Sequence, residues 1–181
     1  MSISQAARLD ATQVDQFRRE GYTICRDQVF GPEKFQALQR HFDVLLARMP
    51  ADRRPESMDV PHFADVTLFD WLLADEVLDL VEPLIGRDIA LFSSHFLCKP
   101  AGDGQRVPWH EDSAYWHRMF DHMEVCTVWL AIDRSDVGNS AMQVIPGTHL
   151  GKGGYSDYEP VPDPTRSVFS TEIKPAQYDA K

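Results

Sequence analysis

A helical N-terminal half leading into an antiparallel, β-rich half is the fold class this sequence predicts, and three observations carry it. Up to about residue 87, apolar residues recur at three- and four-residue steps. From Asp88 onward, short runs rich in β-branched and aromatic residues follow one another, separated by Gly, Pro, Asp and Asn. The chain has 181 residues, 43% of them hydrophobic, which suits one domain with a single core burying about 70% of the unfolded surface. The expected organisation is a helical part over 1–87 and a β part over 88–181.

The elements follow in order. Asp10 or Thr12 caps a short helix with Val14 and Phe17 on one face, ended by Gly21. Gly21 to Phe30 reads as a strand, with Tyr22 and Ile24 alternating with Thr23 and Cys25. Pro32 suits the first turn of the clearest helix, whose stripe is Phe35, Leu38, Phe42, Leu45, Leu46 and Met49. Residues Pro50 to Pro61, rich in charge and proline, are expected to form a mobile loop, either a connector or a lid over substrate. A second helical region spans Val66 to Ile85, broken where Asp75 caps a new helix that Gly86 stops.

Strands are expected over Ile89–Lys99, Val107–Asp112, Glu124–Asp133, Ala141–Ile145 and Val168–Lys174. At Asn139-Ser140 a tight turn loses some of the backbone freedom that glycine would give it.

Charge and cysteine usage exclude some functions. A formal net charge of −10 repels polyanions and anionic membrane surfaces, and the basic pairs Arg18-Arg19 and Arg53-Arg54 are too short to override it. No nucleic acid or membrane partner is therefore expected. Three separated cysteines, a polar N-terminus and no apolar run long enough for a membrane span point to a reduced, cytoplasmic protein.

The chemistry centres on Pro108-Trp109-His110-Glu111-Asp112. On a strand, the period of two puts His110 and Asp112 on one face and Glu111 on the other. A neutral imidazole and a carboxylate then converge on one point, as a facial triad of two histidines and a carboxylate on Fe(II) requires. Taken alone, a His-x-Asp triplet is a weak pattern, more often surface decoration than a metal site.

Its surroundings are specific. The runs WHEDSAYW (109–116), TVWLAID (127–133) and GNSAMQVIPGTH (138–149) stand in this order, preceded by FLCKPAG (96–102) and, near the start, FRREGY (17–22). Together they resemble the phytanoyl-CoA dioxygenase family of Fe(II)- and 2-oxoglutarate-dependent oxygenases. The resemblance covers most of the chain.

It implies a mainly β fold with flanking helices: a double-stranded β-helix, or jelly-roll and cupin-like barrel, incomplete at the C-terminus. It implies Fe(II), 2-oxoglutarate and dioxygen as cofactor and cosubstrates, with His110 and Asp112 binding the metal. Trp129 and Thr127 are expected to line the 2-oxoglutarate pocket. His95 is expected to face the cosubstrate, and Lys99 to neutralise a carboxylate. Tyr115 and Trp116 would offer aromatic surface to substrate, while His117 and His122 are expected to be exposed.

The family takes its third ligand from a histidine on a later strand and pairs the far carboxylate of 2-oxoglutarate with an arginine beyond it. Lys181 is reached before either, so the chain is expected to be a fragment and a poor catalyst by itself. His149, in the Pro-Gly-Thr-His turn, corresponds to a structural histidine. Because Asp112 keeps a carboxylate on iron, hydroxylation or desaturation is favoured over halogenation. Two rival readings remain: a non-catalytic module binding a small acid or a protein, and a cupin-like metal enzyme that does not use 2-oxoglutarate. Substrate identity and oligomeric state are not encoded legibly.

Overall fold

The computed structural model describes residues 7–116, 119, 124–150 and 157–174. Helix α1 spans Ala11–Glu20 and starts as its sequence predicts, with a reciprocal cap. The Asp10 carboxylate accepts the Gln13 N–H at 2.8 Å, and the Gln13 side-chain oxygen accepts the Asp10 N–H at 3.0 Å. Gly21 ends the helix at φ +81°, its N–H returning to the Phe17 carbonyl at 2.8 Å.

The last turn of α1 receives the Pro-Gly-Thr-His turn from far along the chain. Gly147 N–H donates to the Glu20 carbonyl at 2.8 Å, and His149 Nε2 donates to the Arg18 carbonyl at 2.9 Å. Carbonyls that a helix end leaves without partners are thereby satisfied. A Cβ at position 21 would lie 2.5 Å from His149 Nδ1, so glycine is required here for space as well as for its left-handed backbone.

Residues 22–30 form no strand among the described residues. Side chains of α1 hold the segment instead, Gln13 Nε2 donating to the Ile24 carbonyl at 3.0 Å and Thr23 Oγ1 to Gln16 Oε1 at 3.3 Å. Alternation predicts a strand only where a neighbouring strand is available to pair with it.

Helix α2, Pro32–Ala47, has Pro32 in its first turn and buries Leu38. Leu38 packs with Phe30 and Ala74, and Val29, Phe35, Trp71, Val77, Leu130 and Ile132 close around them. Two further bonds fix α2 to its neighbours: Trp71 Nε1 donates to the Lys34 carbonyl at 3.2 Å, and Lys34 Nζ meets Glu76 at 2.8 Å.

The expected mobile loop at 50–61 is instead built into the fold. Pro55–Ser57 makes a 3-10 turn leading into β1, Met58–Asp59, which pairs antiparallel with β2, His95–Phe96. The cause is the Glu56 carboxylate, only 4% exposed. It accepts from Arg54 Nε at 3.1 Å, from Arg54 Nη2 at 2.9 Å and from the Gln105 N–H at 2.9 Å. Arg54 Nη1 also reaches Asp103 at 3.0 Å, which ties the segment to the 100–105 loop.

Burial pushes the Glu56 carboxyl up, but the hydrogen bonds from Arg54 and Gln105 outweigh it and hold the group below the usual carboxylate range. The folded state therefore binds fewer protons here than the unfolded state. Stability from this group is fully present above the ordinary glutamate range near about pH 4.3 and is lost as pH falls through the lower folded value. Glu56→Gln is expected to flatten the acid limb of a stability-versus-pH curve measured by urea unfolding. An unchanged limb would show that Glu56 contributes nothing to acid sensitivity.

The second helical region divides as its sequence predicts. A 3-10 turn at Val66–Leu68 runs into α3, Phe69–Leu72, and α4 follows at Asp75–Ile85. Asp75 is the first residue of α4, not its cap, which is Ala74; with Glu76 it places negative charge at the positive end of the helix.

The β-rich half is present as short ladders. Besides β1–β2, the strands β3, Tyr158–Pro160, and β4, Thr171–Ile173, pair antiparallel with Tyr158 opposite Ile173. One short helix, α5, Ser113–Trp116, lies between β2 and β3. Residues 124–133 and 141–145 join no ladder, and no closed barrel is formed among the described residues. Helices cover more of the described chain than strands, so the mainly β expectation is met only in the presence of these ladders. No described helix is long and apolar enough to cross a membrane.

Candidate metal centre

His110 lies between the β3–β4 hairpin and α5. The segment leading to it runs beside the hairpin: Arg106 N–H donates to the Arg166 carbonyl and Val168 N–H to the Arg106 carbonyl, both at 2.9 Å. Ile173 N–H then donates to the Trp109 carbonyl at 3.0 Å. Arg106 also pairs with the buried Glu172 carboxylate.

Imidazole orientation is fixed by the backbone. His110 Nδ1 lies 2.7 Å from the Pro108 carbonyl, and since a carbonyl only accepts, Nδ1 carries the proton. Nε2 faces Asp112 Oδ1 at 3.4 Å, where it can take a proton or, once deprotonated, offer a lone pair to a cation. Phe169 stacks edge-on at 4.8 Å between ring centroids and closes one side of the imidazole. His110 is 23% exposed and Asp112 49% exposed, so the pair is open on the carboxylate side.

Burial pushes the His110 imidazole down, but the Asp112 carboxylate and the Pro108 carbonyl together raise it above its ordinary value. The direction reflects a carboxylate that favours positive charge at Nε2, brought there by a proton or by a cation.

Two donors of one octahedral ion, each about 2.1 Å away, lie about 3.0 Å apart. At 3.4 Å, Nε2 and Oδ1 stand within a few tenths of an ångström of that edge. A neutral imidazole and a carboxylate suit a borderline divalent ion such as Fe(II). Among the described residues no third His, Cys, Asp or Glu joins them. The convergence does not come from a strand: His110 precedes a turn at Asp112 that begins α5.

The other expected site residues are distributed more widely. His95 turns toward β1, Nδ1 lying 3.3 Å from Asp59 Oδ1 and Nε2 3.2 Å from the Glu56 carbonyl. Both of its ring nitrogens thus face polar groups of the 56–59 segment. Lys99 packs its stem beside Gly104, where an added Cβ would sit 3.1 Å from Lys99 Cβ. Thr127 and Trp129 are on an exposed stretch, Trp129 being 40% exposed. Trp116 meets Phe92 edge-on at 5.6 Å. The Tyr115 side chain, His117 and His122 lie outside the described residues. His149 takes the structural position described above, at the end of α1.

Three groups near the pair carry no mark in the sequence. Any residue supplies a carbonyl, so the role of Pro108 is invisible there, and Phe169 and Tyr158 reach the motif only through the hairpin. Tyr158 Oη accepts the Glu111 N–H at 3.4 Å, and burial pushes this hydroxyl up, so it stays protonated.

Comparison with known proteins places the chain in a family. The family model described as Phytanoyl-CoA dioxygenase (PhyH) matches residues 17–180. Peroxisomal phytanoyl-CoA dioxygenase of Mus musculus is 31% identical over 151 residues, 80% of this chain and 43% of that protein. A probable phytanoyl-CoA dioxygenase of Caenorhabditis elegans is 28% identical over 148 residues, 77% of this chain and 46% of that protein. A probable alpha-ketoglutarate-dependent hypophosphite dioxygenase of Stutzerimonas stutzeri is 29% identical over 92 residues, 51% of this chain and 31% of that protein. The chain thus spans less than half the length of these curated relatives. No solved structure matches the chain. With nearly its whole length matched by the family model, the chain belongs to the phytanoyl-CoA dioxygenase (PhyH) family.

Proposed function

We propose that this chain carries two of the iron ligands of a non-haem Fe(II)- and 2-oxoglutarate-dependent dioxygenase that oxidises a small organic molecule. The observation that supports the reading most directly is the 3.4 Å approach of His110 Nε2 to Asp112 Oδ1, with Nδ1 tied to the Pro108 carbonyl. Family membership and the dioxygenase names of the relatives support the same reaction class.

Iron with 2-oxoglutarate and dioxygen supplies the oxidising chemistry: the keto acid is decarboxylated to succinate and a C–H bond of the substrate is oxidised. This chain's residues bind and orient. His110 offers a lone pair in a direction set by the Pro108 carbonyl, and Asp112 offers a charge that offsets that of the cation. Phe169 limits water on one side of the imidazole. Thr127 and Trp129 are assigned to the wall of the cosubstrate pocket, with His95 beside it and Lys99 as a counter-charge for a carboxylate. The proposed architecture is the jelly-roll barrel of the family.

The relatives are named for substrates as different as phytanoyl-CoA and hypophosphite, so the reading is restricted to a small-molecule substrate. Succinate formation from 2-oxoglutarate by the full-length protein, dependent on added Fe(II), is the test. Turnover of a candidate substrate without 2-oxoglutarate or dioxygen would replace this reading with that of a cupin-like metal enzyme. No turnover and no metal uptake would leave a binding module.

A further inference from the structure

Metal ligands need support from a surrounding shell, because a ligand free to swing loses affinity for the ion. The segment that carries His110 and Asp112 forms no strand among the described residues, and the β3–β4 hairpin meets it at several points. Ile173 of β4 donates its N–H to the Trp109 carbonyl, immediately before His110, at 3.0 Å. Tyr158 of β3, directly opposite Ile173, places its hydroxyl oxygen 3.4 Å from the Glu111 nitrogen, immediately after His110. Phe169, in the turn between the two strands, lays its ring edge against the imidazole itself. Arg106 and the buried Glu172 of β4 pin the approach to the motif.

We propose that this hairpin is the support that sets the ligand geometry, with Tyr158 and Phe169 as its positioning residues. The inference rests on the metal reading of His110 and Asp112. Tyr158 acts on the peptide between the two ligands: its hydroxyl fixes the Glu111 N–H, and that peptide's rotation determines whether Nε2 and the carboxylate face each other. Phe169 acts on the ring, blocking rotation about the bond that carries the imidazole. Neither residue touches the cation. Their aromatic rings come from a part of the chain with no spacing relation to the motif, so the hairpin would transmit any disturbance of its own turn to the metal pair.

The experiment uses Co(II) alone as the probe, titrated into the purified full-length protein and followed by its ligand-field absorption. Tyr158→Phe keeps the ring and removes only the hydroxyl. It is expected to weaken Co(II) binding about 10-fold and to shift the ligand-field bands, with the melting temperature unchanged. Phe169→Leu keeps an apolar side chain and is expected to shift the same bands, so the idea stays testable should Tyr158→Phe fold poorly. His110→Ala separates the two levels of the argument, since it should abolish binding if the metal reading is right. Full binding by His110→Ala, or none by the parent protein, overturns the metal reading and this inference with it. Loss in His110→Ala together with parent-like affinity and bands in the well-folded variants overturns the hairpin's role alone.

Discussion

His110→Ala in the full-length protein is expected to reduce Fe(II)-dependent succinate formation by more than about 100-fold, beyond the range of a supporting-shell change. Two physical terms are lost together: a coordinating lone pair, and the anchor through Nδ1 to Pro108 that aims it. Asp112→Ala removes the charge that balances the cation and is expected to act in the same direction. Neither change should unfold the protein, because Asp112 is half exposed and neither residue belongs to the buried apolar core. Far-ultraviolet circular dichroism of each variant should therefore overlay the parent spectrum while activity disappears. Activity within tenfold of the parent would remove His110 from the metal site.

Phe30→Ala carries the largest expected loss of stability. Phe30 is 2% exposed and packs with Leu38 and Ala74 at the centre of the described core. Its ring also lies under the Lys34 ammonium, 4.9 Å from the centroid. Truncation removes buried apolar area, leaves a cavity and strips the cation of its aromatic partner, a combined cost of about 3–5 kcal/mol. That is a large part of the roughly 5–15 kcal/mol that holds a domain folded. Urea unfolding should show the midpoint falling with an unchanged slope. A loss under about 1 kcal/mol would place the centre of the core elsewhere.

The legible part of this protein is the local part. Asp10, one of the two caps expected for α1, is the one that forms, and Pro32 with the apolar steps through Leu38 announces α2. The pairing of His110 with Asp112 was also readable, because two ligand types at this spacing meet in the strand expected and in the turn observed. The ordered 54–59 segment was not. Its charge and proline content read as solvated loop, and the residue that makes Glu56 a buried acceptor, Gln105, lies 49 positions away. The same limit applies to Phe169 and Tyr158, whose relation to the motif exists only once the hairpin has folded. Alternation over 124–133 predicted a strand, but a ladder needs a partner, and none pairs with it among the described residues.

The docking of His149 on the Arg18 carbonyl sets a timetable for synthesis. The two residues are 131 positions apart. At a translation rate of about 5–20 residues per second, the opening helix waits roughly 7–26 s in the nascent chain before its receiving turn is made. Until then water alone solvates those carbonyls, so a chaperone or a ribosome-proximal partner has that interval in which to hold the N-terminal segment.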